Sequence, residues 1–277
     1  MVNFPNAKIN LGLNIIEKRQ DGFHNIETVF YPIDWCDSVE VIENKKYRTG
    51  DLSCDLSLSG LIVDGNSQDN LIVKAFNLLR LRNEIPPIKV YLHKVIPMGA
   101  GLGGGSSDAA FFMKLLNQQF ELKISDSNLK LEAAKLGSDC AFFVENKPVY
   151  AKGKGDEFSS IDVSLKDYKI VVVYPNIHSN TQLAYSRVIP KKPRYELKDI
   201  VLKGPLSWRE KLTNDFEDSI FHHFPEIKEL KQLLYNHEAI YSSLSGSGSS
   251  VFGIFKSNQL VNLQLPPHYR SFESSAE

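Results

Sequence analysis

The sequence predicts an α+β chain of two lobes that meet near residue 152. Alternating apolar residues in the first half, as in "AKINLGLNI", are typical of strands. Capped apolar stripes, as in "SDSNLKLEAAKLG", are typical of helices. The polar, glycine-bearing stretch over residues 152–166 then separates two parts that each contain one glycine-rich turn. We therefore predict lobes over residues 1–152 and 153–277.

The N-terminal part mixes strands and helices. Besides "AKINLGLNI", the segments "SVEVIE" and "LSCDLSLSG" alternate apolar and polar residues and predict strands. Residues 69–82 have helical spacing after an Asp/Asn cap, and residues 88–96 are rich in β-branched residues and end at Pro97. A further helix is predicted to begin at Ser107, with the serine as its cap and Asp108 in its first turn.

The C-terminal part is less regular. The run "YKIVVVYP" predicts a short buried strand that a proline closes. Helical spacing follows at residues 216–221 and 226–236, and "SSLSGSGSSVFGIF" predicts a glycine turn that leads into a strand. After about residue 256, the sequence supports no assignment of secondary structure.

Composition and charge limit the function classes. The 277 residues have a formal net charge of -1, which argues against a nucleic-acid or membrane partner held by bulk charge. The start of the chain has no secretion signal, and no apolar run approaches the roughly 18 residues of a membrane span. Cys36, Cys54 and Cys140 form no C-x-x-C pair, which is typical of reduced thiols. We expect a cytoplasmic protein with no nucleic-acid and no membrane partner.

The segment "IPMGAGLGGGSSDAA" has five glycines between Gly99 and Ser107. A flexible surface loop is one interpretation. A dinucleotide fingerprint is another, since Gly99, Gly101 and Gly104 satisfy G-x-G-x-x-G, but the strand lies nearly a hundred residues into the chain. The third is a phosphate-binding loop, in which bare amide groups and the start of a helix face an anion. The local sequence favours the phosphate-binding loop.

Six segments of the chain resemble motifs of one family, and they occur in the same order as in that family. "KVIPMGAGLGGGSSDAA" is similar to the central motif of the GHMP kinases, the superfamily of galactokinase, homoserine kinase, mevalonate kinase and phosphomevalonate kinase. "NAKINLGLNI", "RQDGFHNIET", "DNLIVKA", "LGSDCAFFV" and "LSGSGSSVFG" resemble the branch that acts on a cytidine diphosphate-linked methylerythritol. The resemblance implies a two-lobed α+β GHMP kinase fold, with an N-terminal lobe like ribosomal protein S5 domain 2 and a ferredoxin-like C-terminal lobe.

The resemblance also implies an activity. The γ-phosphoryl group of ATP, bound with Mg²⁺, would pass to the 2-hydroxyl of the small-molecule substrate in the non-mevalonate isoprenoid pathway. Two alternatives stay open: another GHMP kinase of the mevalonate or homoserine type, and a non-catalytic nucleotide- or RNA-binding module. The Mg²⁺ ligands are unassigned apart from the Ser106 hydroxyl as a candidate, and the protein is expected to be a monomer or a homodimer.

By resemblance, Lys8 and Asp139 are the catalytic pair, with Asp139 as the base and Lys8 as the stabilising cation. Without the resemblance, Lys8 is an ordinary residue of a solvated strand face and Asp139 a turn or cap residue. The family usually has proline where Ala141 stands, so the loop around Asp139 departs from the pattern.

The resemblance also assigns binding residues. Phe23 takes the place of a tyrosine that stacks on cytosine, and the ring face is kept. Without the resemblance, these residues have ordinary structural roles. Asn70 is then a helix cap, Phe23 a residue at the edge of the core, and Gly246–Gly248 a plain turn. The substrate set is Asn10, Phe23, His24, Thr181, Tyr185, Gly246, Ser247 and Gly248. The ATP set is Asn70, Leu71, Lys94, Pro97, Met98, Gly99, Ala100, Gly101, Leu102, Gly103, Gly104, Gly105, Ser106 and Ser107.

Overall fold

The computed structural model describes residues 1–45, 53–63 and 65–274. The described residues form eight α-helices: α1 (Leu71–Arg80), α2 (Gly104–Gln119), α3 (Asp126–Ala134), α4 (Ser138–Glu145), α5 (Thr181–Tyr185), α6 (Leu197–Leu202), α7 (Glu217–His223) and α8 (Pro225–Asn236). They form twelve strands: β1 (Val2–Asn3), β2 (Asn6–Lys18), β3 (His24–Cys36), β4 (Ser38–Glu43), β5 (Cys54–Gly60), β6 (Ile88–Lys94), β7 (Val149–Lys152), β8 (Glu157–Ser160), β9 (Tyr168–Tyr174), β10 (Tyr241–Leu244), β11 (Val251–Lys256) and β12 (Arg270–Glu273).

The chain divides into two compact units that alternate along the sequence. The first comprises Met1–Ala7, Asp34–Met98 and Gly103–Lys147, and the second comprises Lys8–Ile33, Gly99–Leu102 and Pro148–Glu277. These units differ from the predicted contiguous lobes, because β3 pairs with β7 and thereby groups early strands with the C-terminal half. The predicted boundary after residue 152 stays a prediction.

The first unit combines one sheet with α1–α4. The strand order is β1-β4-β6-β5, so β6 is an interior strand, antiparallel to β4 and parallel to β5. The helices bury large apolar side chains, among them Phe76 of α1, Phe112 of α2 and Phe142 of α4. Burial of this kind supplies most of the stabilisation of an amphipathic helix.

The second unit has two antiparallel-rich sheets and α5–α8. One sheet has the order β2-β3-β7-β8, with the ends Asn6–Ala7 and Asp34–Cys36 belonging to the first unit. The other has the order β10-β11-β9-β12. Its core joins strand residues such as Val173 and Val251 to helix residues such as Ile220 and Leu234. The last strand, β12, pairs antiparallel with β9, in the stretch for which the sequence supported no assignment.

Most predicted elements are present, and the start of α2 is a correction. The helix begins at Gly104 rather than Ser107, and Gly103 is its N-cap, with φ 71° and no side-chain capping bond. Glycine tolerates this left-handed conformation, which moves both serines inside the first turn. By contrast, α1 and α3 begin at side-chain caps, Asn70 and Ser125, as predicted. None of the described helices has the length and apolar character that a bilayer crossing requires.

Candidate active site

A cavity of about 230 Å³ lies beside the start of α2 in the first unit. Five residues of the predicted ATP set line it: Asn70, Leu71, Lys94, Met98 and Gly105. The structure thus brings together residues from three segments of the chain. Residues that the sequence analysis did not select complete the wall: Leu58, Val63, Gly65, Asn66, Ser67, Asp69, Leu92 and Asp108.

Lys94 is the centre of a buried ionic cluster in this wall. It is 1% exposed, and its Nζ donates to Oδ2 of Asp37 and, at 2.6 Å, to Oδ2 of Asp108. Oδ1 of Asp37 in turn accepts from the amides of Val95 and Ile96. The cluster therefore fixes the end of β6 against the first turn of α2.

Two carboxylates share one ammonium in this cluster. Burial, with a further contribution from Asp37, raises the pKa of Asp108 to about 7, although Lys94 opposes the shift. Burial also opposes the charge of Lys94, but the carboxylates outweigh it and raise its pKa. A proton on Asp108 would make the cluster neutral, which is the arrangement that a dry interior favours.

The first turn of α2 faces an open space. An added Cβ at Gly105 would meet only the Met98 Cε at 3.5 Å and the Leu71 Cδ1 at 4.0 Å, which are ordinary contacts. Because no side chain caps this helix, its first amide groups are donors that need an external acceptor. An anion at this position would also gain from the helix dipole.

Asp139 lies in the first turn of α4, which begins after Gly137 and likewise has no side-chain cap. Burial raises the pKa of the thiol of the next residue, Cys140, to about 11, although the neighbouring Ser106 side chain of α2 opposes the shift. The starts of α2 and α4 are therefore in contact. Ala141, where the family usually has proline, is buried within α4.

In the second unit, Lys8 is 3% exposed, so the polar face of β2 is not a solvated one. Its Nζ donates to Asn10 Oδ1 at 2.7 Å and to the Gly101 carbonyl at 3.1 Å. Asn10 Nδ2 donates to Thr28 Oγ1 at 2.9 Å. Thr28, which the sequence analysis did not select, donates to the Gly12 carbonyl at 2.6 Å. This chain of hydrogen bonds holds the Lys8 ammonium in place.

The two glycine turns of the second unit are packed on each other. Ser245 Oγ donates to the Gly101 carbonyl at 2.9 Å, and the Ser250 amide donates to the Ala100 carbonyl at 3.1 Å. An added Cβ at Gly101 would lie 1.9 Å from the Ser245 carbonyl oxygen. An added Cβ at Gly246 would lie 3.2 Å from the Gly101 carbonyl oxygen. Contact with the other turn, and not only with a ligand, therefore accounts for these glycines.

The predicted cytosine residues also lie within the second unit. The rings of His24 and Tyr185 stack with centroids 4.4 Å apart, so a base reaches that face of Tyr185 only if His24 moves. Burial, and then the charge of Lys18, lower the pKa of His24 and favour a neutral imidazole. Phe23 is 59% exposed. Thr181 Oγ1 lies 3.5 Å from the Ser247 hydroxyl, which joins α5 to the second glycine turn.

Two family models match the chain, the GHMP kinases N terminal domain over residues 70–147 and the GHMP kinases C terminal domain over residues 197–264. A crystal structure of a 4-(cytidine 5'-diphospho)-2C-methyl-D-erythritol kinase is similar, with a TM-score of 0.78 and 28% identity over 92% of this chain and 90% of that one. Mevalonate kinase of Methanococcus jannaschii, at 15% identity and a TM-score of 0.71 over 99% and 97% of the two chains, shares the fold.

Curated relatives are much more similar in sequence. The 4-diphosphocytidyl-2-C-methyl-D-erythritol kinase of Bacteroides fragilis is 49% identical over 263 residues, 94% of each chain. That of Cytophaga hutchinsonii is 49% identical over 257 residues, 92% of each chain. The chain therefore belongs to the GHMP kinases and, within them, to the family of the 4-diphosphocytidyl-2-C-methyl-D-erythritol kinases.

Proposed function

We propose that this protein transfers the γ-phosphoryl group of ATP to the 2-hydroxyl of 4-diphosphocytidyl-2-C-methyl-D-erythritol, in the cytoplasm. The observation that supports this most directly is the similarity to kinases of that name at 49% identity over nearly the whole of both chains. The reaction is a step of the non-mevalonate isoprenoid pathway. The similarity to homoserine and mevalonate kinases, at 13–17% identity, concerns the fold alone. It supports neither homoserine kinase nor mevalonate kinase activity for this protein.

The first unit supplies the nucleotide side of this proposal. The cavity beside α2 would take the adenine and ribose, with Asn70, Leu71 and Lys94 in its wall. The triphosphate would lie at the first turn of α2, where uncapped amides and the exposed flank of Gly105 leave room for phosphate oxygens. Lys94 would contribute by fixing the position of α2 and not by binding phosphate directly, because two carboxylates already bind its ammonium.

Asp139 and Lys8 would carry the chemistry. Asp139 would accept the proton of the attacking 2-hydroxyl, and it lies in the first turn of α4, where the helix dipole favours a negatively charged side chain. The Lys8 ammonium, held by Asn10 and the Gly101 carbonyl, stabilises the negative charge that develops during transfer. The remaining rate acceleration comes from positioning, as in phosphoryl transfer generally.

Mg²⁺ fits the oxygen atoms at the start of α2. Ser107 Oγ and Asp108 Oδ1 are buried and have no hydrogen-bond partner in the described part of the chain. Oxygen atoms of this kind are the ligands that Mg²⁺ prefers, with phosphate oxygens and water filling the other positions. Ser107 and Asp108 would hold the ion, which would neutralise charge on the phosphates. The described residues include no cluster of three or more His, Cys, Asp or Glu side chains suited to a metal.

The second unit supplies the acceptor side. Phe23, His24 and Tyr185 would bind the cytosine, and a neutral His24 can both donate and accept a hydrogen bond. Asn10, Thr181 and the turn Gly246–Gly248 would contact the rest of the substrate. The Thr181–Ser247 contact fixes that turn next to α5.

The proposal is tested by ADP release from Mg-ATP with 4-diphosphocytidyl-2-C-methyl-D-erythritol, mevalonate, homoserine or no acceptor. We expect turnover with the cytidylyl substrate alone. Turnover with mevalonate or homoserine, and none with the cytidylyl compound, would contradict the proposed acceptor substrate. ATP binding without turnover on any acceptor would contradict the kinase activity and favour a binding module.

Matched variants test the catalytic base. Asp139→Asn should lower kcat by about a hundredfold or more, the usual contribution of a general base. Asp126→Asn is the control, since Asp126 is also an acid in the first turn of a helix of the first unit. Equal effects of the two substitutions on kcat would show that the loss comes from helix stability and not from catalysis.

A further inference from the structure

A second cavity, of about 310 Å³, lies in the second unit. Its wall is lined by ten residues: Asn14 of β2, Lys191, Pro193, Arg194, Tyr195, Ile200, Glu210, Lys211, Thr213 and Asp215. None of these residues belongs to the predicted ATP, substrate or catalytic sets. The volume is at the lower end of the range for small-molecule sites, roughly 300–1,000 Å³.

The floor of this cavity is fixed by backbone pairing. The Leu13 amide donates to the Thr213 carbonyl at 2.9 Å, and the Asp215 amide donates to the Leu13 carbonyl at 2.8 Å. Asp215 Oδ2 accepts from the Ile15 amide at 2.7 Å. On the other side, the Lys191 amide donates to the Ile15 carbonyl at 3.0 Å. Both walls are thus bonded to Ile15 of β2, and one of them also to Leu13, so the cavity is preformed.

Asn14 is a polar residue of β2 that lines this space. The residue is 8% exposed, and no described residue forms a hydrogen bond with its side chain. The Asn14 side chain therefore offers two N–H donors and a carbonyl acceptor to an occupant of the cavity.

The cavity is separate from Lys8 and Asn10, although Asn14 is on the same face of β2. Gly12 lies between them, and an added Cβ there would meet Leu212 Cδ1 at 2.5 Å and Leu197 Cδ1 at 3.1 Å. These leucines cover the strand at Gly12. A ligand in the cavity would therefore not reach Lys8 or Asn10.

The charges of the wall indicate the class of ligand. Lys191, Arg194 and Lys211 are cations, against the carboxylates of Glu210 and Asp215, so the lining has a net charge of +1. The cations can bind a phosphate group. The Asn14 amide and the Asp215 carboxylate on the floor can form hydrogen bonds with hydroxyl groups. Arg194 is also packed over the Tyr195 ring, with 5.4 Å from its Cζ to the centroid.

We propose that this cavity is a binding site for a small phosphorylated polyol. The phosphate contacts the cations of the rim, and the hydroxyl groups contact Asn14, Thr213 and Asp215 on the floor. The site is additional to the one that binds the nucleotide and the cytidylyl substrate.

Isothermal titration calorimetry with glycerol 3-phosphate tests the proposal, with glycerol and inorganic phosphate as comparison probes. We expect glycerol 3-phosphate to bind at least tenfold more tightly than either. Lys191→Gln should weaken binding about tenfold, and Lys192→Gln, the exposed neighbour that does not line the cavity, should leave it unchanged. Asn14→Leu should also weaken it about tenfold, with circular dichroism as the check on folding.

Three results would overturn the proposal. The first is the absence of saturable binding to the wild-type protein. The second is equal weakening by Lys191→Gln and Lys192→Gln, which would show attraction by surface charge alone. The third is loss of binding in Lys8→Met, which would place the ligand at the catalytic residues. Retained binding in Lys8→Met supports the separate site.

Discussion

Alanine at Gly101 is the most informative substitution in the glycine segment. Gly101 has φ +77°, and an alanine there costs about 1 kcal/mol from backbone conformation alone. The added Cβ would also lie 1.9 Å from the Ser245 carbonyl oxygen, against an ordinary contact of at least 3.4 Å, so this carbonyl must withdraw by about 1.5 Å.

The withdrawal has a calculable cost. It would stretch the bond from Ser245 Oγ to the Gly101 carbonyl and the bond from the Gly248 amide to the Ser245 carbonyl, both 2.9 Å. Each such bond contributes about 1 kcal/mol to stability. With the backbone cost, we expect Gly101→Ala to lower the free energy of unfolding by about 3 kcal/mol.

Gly105→Ala is the matched control in the same segment. Its methyl group meets ordinary contacts only, and alanine is favoured over glycine in a helix by up to about 1 kcal/mol. We expect unchanged or higher stability, with a several-fold rise in KM for ATP because the methyl group enters the cavity. Urea unfolding followed by circular dichroism, together with ADP release, measures both variants. A stability change below about 0.5 kcal/mol for Gly101→Ala would refute the reasoning.

Other substitutions test the remaining contacts. Lys94→Met leaves two buried carboxylates without their cation and should destabilise the protein by about 3 kcal/mol or more in urea unfolding; wild-type stability would show that the cluster is not formed. Because burial lowers the pKa of His24 below its ordinary 6.5, protonation opposes folding, and stability should fall as the pH drops through that value. His24→Gln should make this fall shallower between pH 7 and pH 5, and an unchanged slope would contradict it. The thiol of Cys140 is buried with a pKa near 11, so in a Cys36→Ser, Cys54→Ser variant Ellman's reagent should react only after denaturant is added, and fast reaction of the native protein would contradict the burial.

Local sequence signals predict the elements that depend on local interactions. Alternation predicts β2, and side-chain caps predict α1 and α3. The strand β3 gives no comparable signal, because Pro32 interrupts it and proline argues against a strand interior. The start of α2 differs from the prediction because Gly103 caps the helix by its backbone conformation, which leaves no side-chain pattern to detect.

Site residues that lie in a local sequence motif could be predicted from the sequence. Contacts between residues that are distant in the sequence could not. The glycine segment indicates phosphate binding from its composition. Asp37 and Lys94 are 57 positions apart, and no periodicity connects them. Thr28 supports Asn10 through pairing of distant strands, and Ser245 meets Gly101 from 144 positions away. Such contacts depend on tertiary structure, which a single sequence does not encode in any local pattern.

The neutralised cluster around Lys94 has a consequence for the choice of inhibitors. Among the described residues that line the cavity beside α2, Lys94 is the one cation, and two carboxylates already bind it. An anionic group placed against Lys94 therefore gains no free side-chain cation in this cavity. Uncharged heteroaromatic compounds, which rely on shape and hydrogen bonds to groups such as Asn70 and Asn66, are the chemical series suited to it.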